Sequence, residues 1–173
     1  MEQVILVDEQ DRQTGVMEKI EAHRKGLLHR AISVVVFNSR SELLLQQRAF
    51  DKYHSAGLWT NTCCSHPRPG ESTADAARRR LKEEMGIDLQ PSFAYSFRYK
   101  AALENNLIEH ELDHVFTAIH DEPPSINTRE VANWKYMSLA DLHLAVLLNP
   151  HEFTPWFRLM LSHQEFQGIF KKK

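Results

Sequence analysis

Hydrophobic and polar positions along the 173 residues change period several times, and each change predicts an element. Residues 3–8 (QVILVD) form an apolar run of strand length, and EQDRQTG behind them is turn-like. Met17 to Lys25 (MEKIEAHRK) is polar, carries two charged pairs and stops at Gly26. Ala31 to Phe37 (AISVVVF) and Glu42 to Arg48 (ELLLQQR) flank NSRS, which predicts two strands in a hairpin with a four-residue loop. Ser92 to Lys100 (SFAYSFRYK) and Leu107 to His120 (LIEHELDHVFTAIH) make a second pair around Glu104-Asn105-Asn106. Beyond the loop DEPPSIN, Glu130 to Met137 (EVANWKYM) predicts another strand. Ser138-x-x-Asp141 then opens a helix that runs through Leu148 and stops before Pro150. Thr154 caps a last helix with Pro155 at its first position, and Phe157, Met160, Leu161 and Phe166 point to a core. The closing Lys171-Lys172-Lys173 is expected to fray.

One stretch organises the rest. Residues 59–86 read WTNTCCSHPRPGESTADAARRRLKEEMG, a Pro/Gly-rich loop with two cysteines and a histidine that runs into a charged helix. Ser72 is its N-cap with Asp75 three residues on, and Ala74, Ala77, Leu81 and Met85 make one apolar stripe. At ~100° per residue, Glu84 falls roughly 60° from Leu81, which predicts a half-buried Glu84 and a solvated Glu83.

Strand periodicity singles out a second place. Leu107, Glu109, Glu111, Asp113 and Val115 share one face, and carboxylates two residues apart lie roughly 7 Å apart, within reach of one cation. If that face packs on a core, its charges need partners or a metal; on an edge strand they are simply solvated. Other residues leave the same choice. Arg48 and Lys52 read as a solvated rim or a phosphate clamp. His23 and His29, flanking Gly26, read as satisfied surface residues or metal ligands, and Trp156 as packing or catalysis.

Composition narrows the class. Hydrophobic residues at 42%, charged ones at 25% and a formal charge of −2 describe an ordinary globular chain of one domain, with no basic field for nucleic acid. No apolar run reaches membrane-spanning length, and MEQVILVDEQ lacks the basic and apolar regions of a signal peptide, so the cytoplasm is the expected location. Cys63 and Cys64 are adjacent and form no disulfide framework or zinc pattern.

From Ser65, the positions of Glu71, Arg79, Leu81, Glu83, Glu84, Gly86 and Ile87 resemble the Nudix signature, with Ser65 in place of its glycine and Arg80 in place of a glutamate. A guanidinium cannot coordinate a cation, so the fold signal survives and the hydrolase signal is damaged. WTNTCCSHPRPGE, RRRLKEEMG, FRYKA, IEHEL and FTPW together resemble the type I isopentenyl-diphosphate isomerases along nearly the whole chain. The resemblance implies an α/β fold, a Nudix-like α/β/α sandwich with a mixed sheet, as a single domain over residues 1–173. It implies catalytic roles for Cys64 and Glu111, with Tyr99 and Trp156 on either side of the reacting carbons. It places His23, His29, His66, Glu109 and Glu111 on a metal site for zinc or manganese (Zn2+ or Mn2+). Glu84 and the Cys64 main chain fall on a magnesium (Mg2+) site, and Lys19, Arg48, Lys52 and Arg80 face the diphosphate. A small-molecule diphosphate substrate, no nucleic acid, no membrane and a monomer or weak dimer are expected. The competing readings are a Nudix pyrophosphohydrolase and a non-catalytic metal- and diphosphate-binding module.

Overall fold

The structure, a computed structural model, describes residues 2–171. Its strands are β1 (Gln3–Val7), β2 (Gln13–Glu18), β3 (His29–Phe37), β4 (Leu43–Arg48), β5 (Trp59–Thr60), β6 (Cys63–Ser65), β7 (Ser92–Ala102), β8 (Ile108–Ile119) and β9 (Val131–Met137). Its α-helices are α1 (Lys19–Lys25), α2 (Thr73–Met85), α3 (Leu139–Leu148), α4 (Pro155–Ser162) and α5 (Gln164–Lys171). Strand β3 is the axis. It pairs parallel with β8 from His29↔Glu111 to Phe37↔Ile119, and β8 pairs antiparallel with β7. Strands β1, β6 and β4 take turns antiparallel to β3, at Leu6↔His29, at Ile32↔Ser65 through Val34↔Cys63, and at Phe37↔Leu43. The sheet is mixed, as expected.

Side-chain alternation along β3 and β4 builds both layers. Val35, Phe37, Leu43 and Leu45 pack with Leu142, Phe157, Met160, Leu161 and Phe166 from α3, α4 and α5. Ile32, Val34, Val36 and Leu44 pack with Ala76, Ala77, Leu81 and Met85 of α2. Because both faces are covered, β3 reads as the continuous apolar run AISVVVF. The α2 cap forms as predicted: the Asp75 N–H donates to the Ser72 hydroxyl at 3.1 Å.

The 38–41 hairpin closes at one position only. After Phe37↔Leu43 the strands splay, and residues 59–65 wedge between them, β5 against β4 and β6 against β3. Buried polar side chains hold the wedge. The Thr62 hydroxyl accepts from Val36 N–H at 2.9 Å and donates to the Leu44 carbonyl at 2.6 Å, while the Asn61 amide donates to the carbonyls of Val34 and Cys63.

Other differences have local causes. QTGVME forms β2, which pairs only with β1, is largely exposed and therefore has no apolar period to read. Residues 19–25 form α1, closed by Gly26 at φ 61°. Thr154 stands at the start of α4, but its hydroxyl donates to Thr60 at 2.9 Å and makes no capping bond. The last helix is two: His163, extended at ψ 139°, separates α4 from α5. Glu84 is buried, not half-buried, at 4% exposure, and Glu83 is exposed as expected. Lys172 and Lys173 of the expected frayed tail lie outside the described residues.

Thr62→Val removes the bridge between two buried backbone groups and is expected to lower unfolding stability by about 2 kcal/mol in a denaturant titration.

Candidate active site

The site grows from the face of β8 that the alternation marked. Strand β8 lies between β3 and β7, so Glu109, Glu111 and Asp113 are interior, at 4%, 6% and 1% exposure, which removes the solvated-edge alternative. The parallel register sets His29 opposite Glu111, α1 contributes His23, and the turn after β6 contributes His66. One ligand atom from each of His23, His29, His66 and Glu111 lies within 4.8 Å of the others. Glu109 stands just outside that group, its Oε2 3.4 Å from His23 Nε2.

The donor set fits a divalent metal. His23 Nδ1 donates to the Lys19 carbonyl at 2.7 Å and His29 Nδ1 to the Leu27 carbonyl at 2.8 Å, which leaves a bare lone pair on each Nε2. Both Nε2 atoms are buried without a hydrogen-bond partner, as is Glu109 Oε2. Burial raises Glu109, helped by the charge of Glu111. Burial also acts to raise Glu111, but His29, Glu109 and Tyr99 bring it down to about 2.

Beside the cluster opens a cavity of about 520 Å³, lined by every residue to which the resemblance gives a catalytic, metal or diphosphate role except His23 and His29, which contact Glu109 and Glu111. Cys64 reaches it because β6 pairs Cys64 with Ser33, whose hydroxyl donates to Asp113 on the Glu111 face. Its neighbour Cys63 turns the other way, under α2 and against Glu84. Burial pushes the Cys64 thiol up to about 12, Arg48 opposing and Glu84 and Glu111 adding. Tyr99 donates to Glu111 Oε2 at 2.5 Å. Trp156 Nε1 donates to the Thr60 hydroxyl at 3.1 Å, so the ring is held both as packing and as cavity wall.

The cations that line the cavity and were expected to face the diphosphate all have partners within the chain. Lys19 pairs with Glu2 at 3.1 Å and Lys52 with Glu130 at 2.5 Å. Arg48 donates to the carbonyls of Ser55 and His54, with its guanidinium 5.2 Å from the Trp156 ring centre. Arg80 lies on the Glu84 side of α2, but it grips Glu84 at 2.7 Å, Glu83 at 2.8 Å and Glu130 at 3.2 Å. The second Glu84 oxygen accepts from Gln46 at 2.8 Å. One fully partnered carboxylate is no cage, and a cation beside it depends on ligand oxygens and waters.

A family match and close relatives agree with this geometry. The NUDIX domain matches residues 27–157. An isopentenyl-diphosphate Delta-isomerase of Pectobacterium atrosepticum is 54% identical over 99% of this chain and 96% of its own. Another, isopentenyl-diphosphate Delta-isomerase 1 of Aromatoleum aromaticum, is 55% identical over 93% of this chain and 91% of its own. This chain belongs to the isopentenyl-diphosphate Delta-isomerase family, within the NUDIX fold. The crystal structure of DR0079 from Deinococcus radiodurans shares that fold with a TM-score of 0.72, at 19% identity, covering 88% of this chain and 92% of that one.

In this isomerase-family site several residues escaped the sequence reading. His54 is buried, its Nε2 3.7 Å from Glu109 Oε1 and its ring edge-on to Trp156; burial, reinforced by Arg48, pushes it down to about 3. Its one signal in the sequence is that ten of the 173 residues are histidines. Gln46 is the polar end of an apolar strand, and Glu130 opens the segment before β9; neither carries a spacing signal.

The purified protein is expected to hold about one divalent ion per chain after desalting, and His29→Ala is expected to lose it, read by elemental analysis.

Proposed function

We propose that this protein interconverts isopentenyl diphosphate and dimethylallyl diphosphate. One observation carries the reading: Cys64 and Glu111, from separate strands, line one cavity, with Tyr99 bonded to Glu111 and Trp156 in the wall. The reaction adds a proton at one end of an allylic unit and removes one from the other, so it needs an acid and a base across a dry pocket. With Cys64 near 12 and Glu111 near 2, the pair holds one transferable proton over the whole physiological range. In that state Cys64 gives up the proton and Glu111 receives one; the pair's proton count is unchanged, and the proton returns to Cys64 before the next turnover in the same direction. Tyr99 holds the carboxylate in place. The Trp156 face stabilises developing tertiary-cation character by about 2 kcal/mol when water is excluded.

His23, His29, His66, Glu109 and Glu111 would hold zinc or manganese, which supplies positive charge that orients Glu111 and lowers its pKa. Magnesium would sit by Glu84 and the Cys64 main chain, shared with the diphosphate. Lys19, Arg48, Lys52 and Arg80 surround that head group. The setting is the cytoplasm, and the working form a monomer or weak dimer. Hydrolysis is disfavoured because Arg80 occupies the space between Glu83, Glu84 and Glu130 where a pyrophosphohydrolase needs another carboxylate.

Incubation with isopentenyl diphosphate in deuterated water is expected to place label in dimethylallyl diphosphate. Cys64→Ala and Glu111→Gln are each expected to abolish this while leaving diphosphate binding intact; release of phosphate instead would establish the hydrolase. The pH profile follows from the proton count. The thiol stays protonated below about 12 and the carboxylate ionised above about 2, so kcat/KM is expected to stay flat from about pH 7.5 to 9.5. An unshifted thiol would make the rate fall as pH passes its ordinary value of 9.0.

A further inference from the structure

The cations around the head-group end of the cavity are not waiting bare. A single oxygen of Glu130, Oε2, lies 2.5 Å from Lys52 Nζ and 3.2 Å from an Arg80 terminal nitrogen, so one carboxylate bridges two cations from different elements. Glu130 lines the same cavity, and the side chains of all three residues are about one-quarter exposed or less. Its backbone is pinned on both sides. Its carbonyl accepts from Ala49 N–H at 3.0 Å, and its own N–H donates to Asn127, whose N–H in turn donates to the Glu84 carbonyl at the end of α2. Burial works to raise its pKa, yet Lys52 and Arg80 hold it below the ordinary carboxylate value, so it is present as an anion. Lys19 is engaged by Glu2 in the same manner.

An isolated surface pair of this kind would contribute little. Here the carboxylate has the geometry of a bridging phosphate oxygen, fixed by a short rigid turn between the two cations that face the pocket. We propose that Glu130 is an internal counter-anion that occupies the head-group site of the empty enzyme and makes it select metal-loaded diphosphate over free anions. A ligand must displace or share the two cations with it. A magnesium-bound diphosphate carries less negative charge against Glu130 and brings its own cation. A metal-free polyphosphate or inorganic phosphate meets the full repulsion of the carboxylate it must push aside.

This inference rests on the reading of the cavity as a diphosphate site, and the test separates the two. The desalted holoprotein is titrated calorimetrically with sodium pyrophosphate, with and without Mg2+. Glu130→Gln keeps the shape and removes the charge. It is expected to tighten metal-free pyrophosphate about tenfold or more while changing the Mg2+-loaded form less than about threefold. Glu130→Asp, which keeps the charge, is expected to stay near the wild-type ratio. Equal weakening of both forms by Glu130→Gln would make Glu130 a mere spacer for Lys52 and Arg80 and overturn the proposal, as would no change in either. Pyrophosphate binding to neither wild type nor variant, in either condition, would overturn the diphosphate reading itself, and this inference with it.

Discussion

The Thr62 hydroxyl is the constraint on which the rest depends. At positions 36 and 44 two antiparallel strands would ordinarily bond to each other; instead the hydroxyl accepts from one and donates to the other. Strands β3 and β4 are thereby held apart without leaving a buried backbone group unpaired. Asn61 supplies further bonds to β3 and to the wedge itself, and Gln46 ties the Thr62 carbonyl to Glu84. The gap so formed admits residues 59–65, and with them the two cysteines.

Once the wedge is in register, the pleat distributes the chemistry. Opposite Ser33, Cys64 must share its face, which is also the face of Asp113, Glu111 and Glu109 on the parallel neighbour. Opposite Val34, Cys63 must point under α2. A slip of the wedge by one residue would exchange the two thiols between the layers. Adjacent cysteines in sequence therefore have separate environments, one by the carbon-chain end of the cavity and one by Glu84.

Electrostatics divides the cavity into two ends. At one, three imidazoles and two carboxylates are buried together, and His23 Nε2, His29 Nε2, His66 Nδ1 and Glu109 Oε2 have no hydrogen-bond partner, a set of donors suited to a divalent cation. At the other, cations and carboxylates of the chain neutralise one another around Arg80 and Lys52. Trp156, Tyr99 and Cys64 line the same cavity and offer it an aromatic face, a phenol ring and a neutral thiol. The molecule thus matches a ligand that is charged at one end and apolar at the other.

Much of this was legible in residue order. The alternation on β8, the charged α2 with its Ser72 cap, and the two apolar strands at 31–37 and 42–48 are local patterns, because period and capping depend on near neighbours. The motif blocks, through the family they resemble, named side chains that the fold brings to one cavity and the cluster beside it. What local pattern could not contain was partnership across the sheet: that the 38–41 hairpin opens after one pair, that Thr154 bonds Thr60 rather than its own helix, that His54 faces Glu109, or that Glu130 lies across Lys52 and Arg80. Sequence alone determined the strongly periodic elements, the buried faces of those elements and the kinds of group available for chemistry. Tertiary structure decided which groups meet, because strand order and the splay at Thr62 bring together residues dozens of positions apart, and no periodicity in the chain encodes that distance.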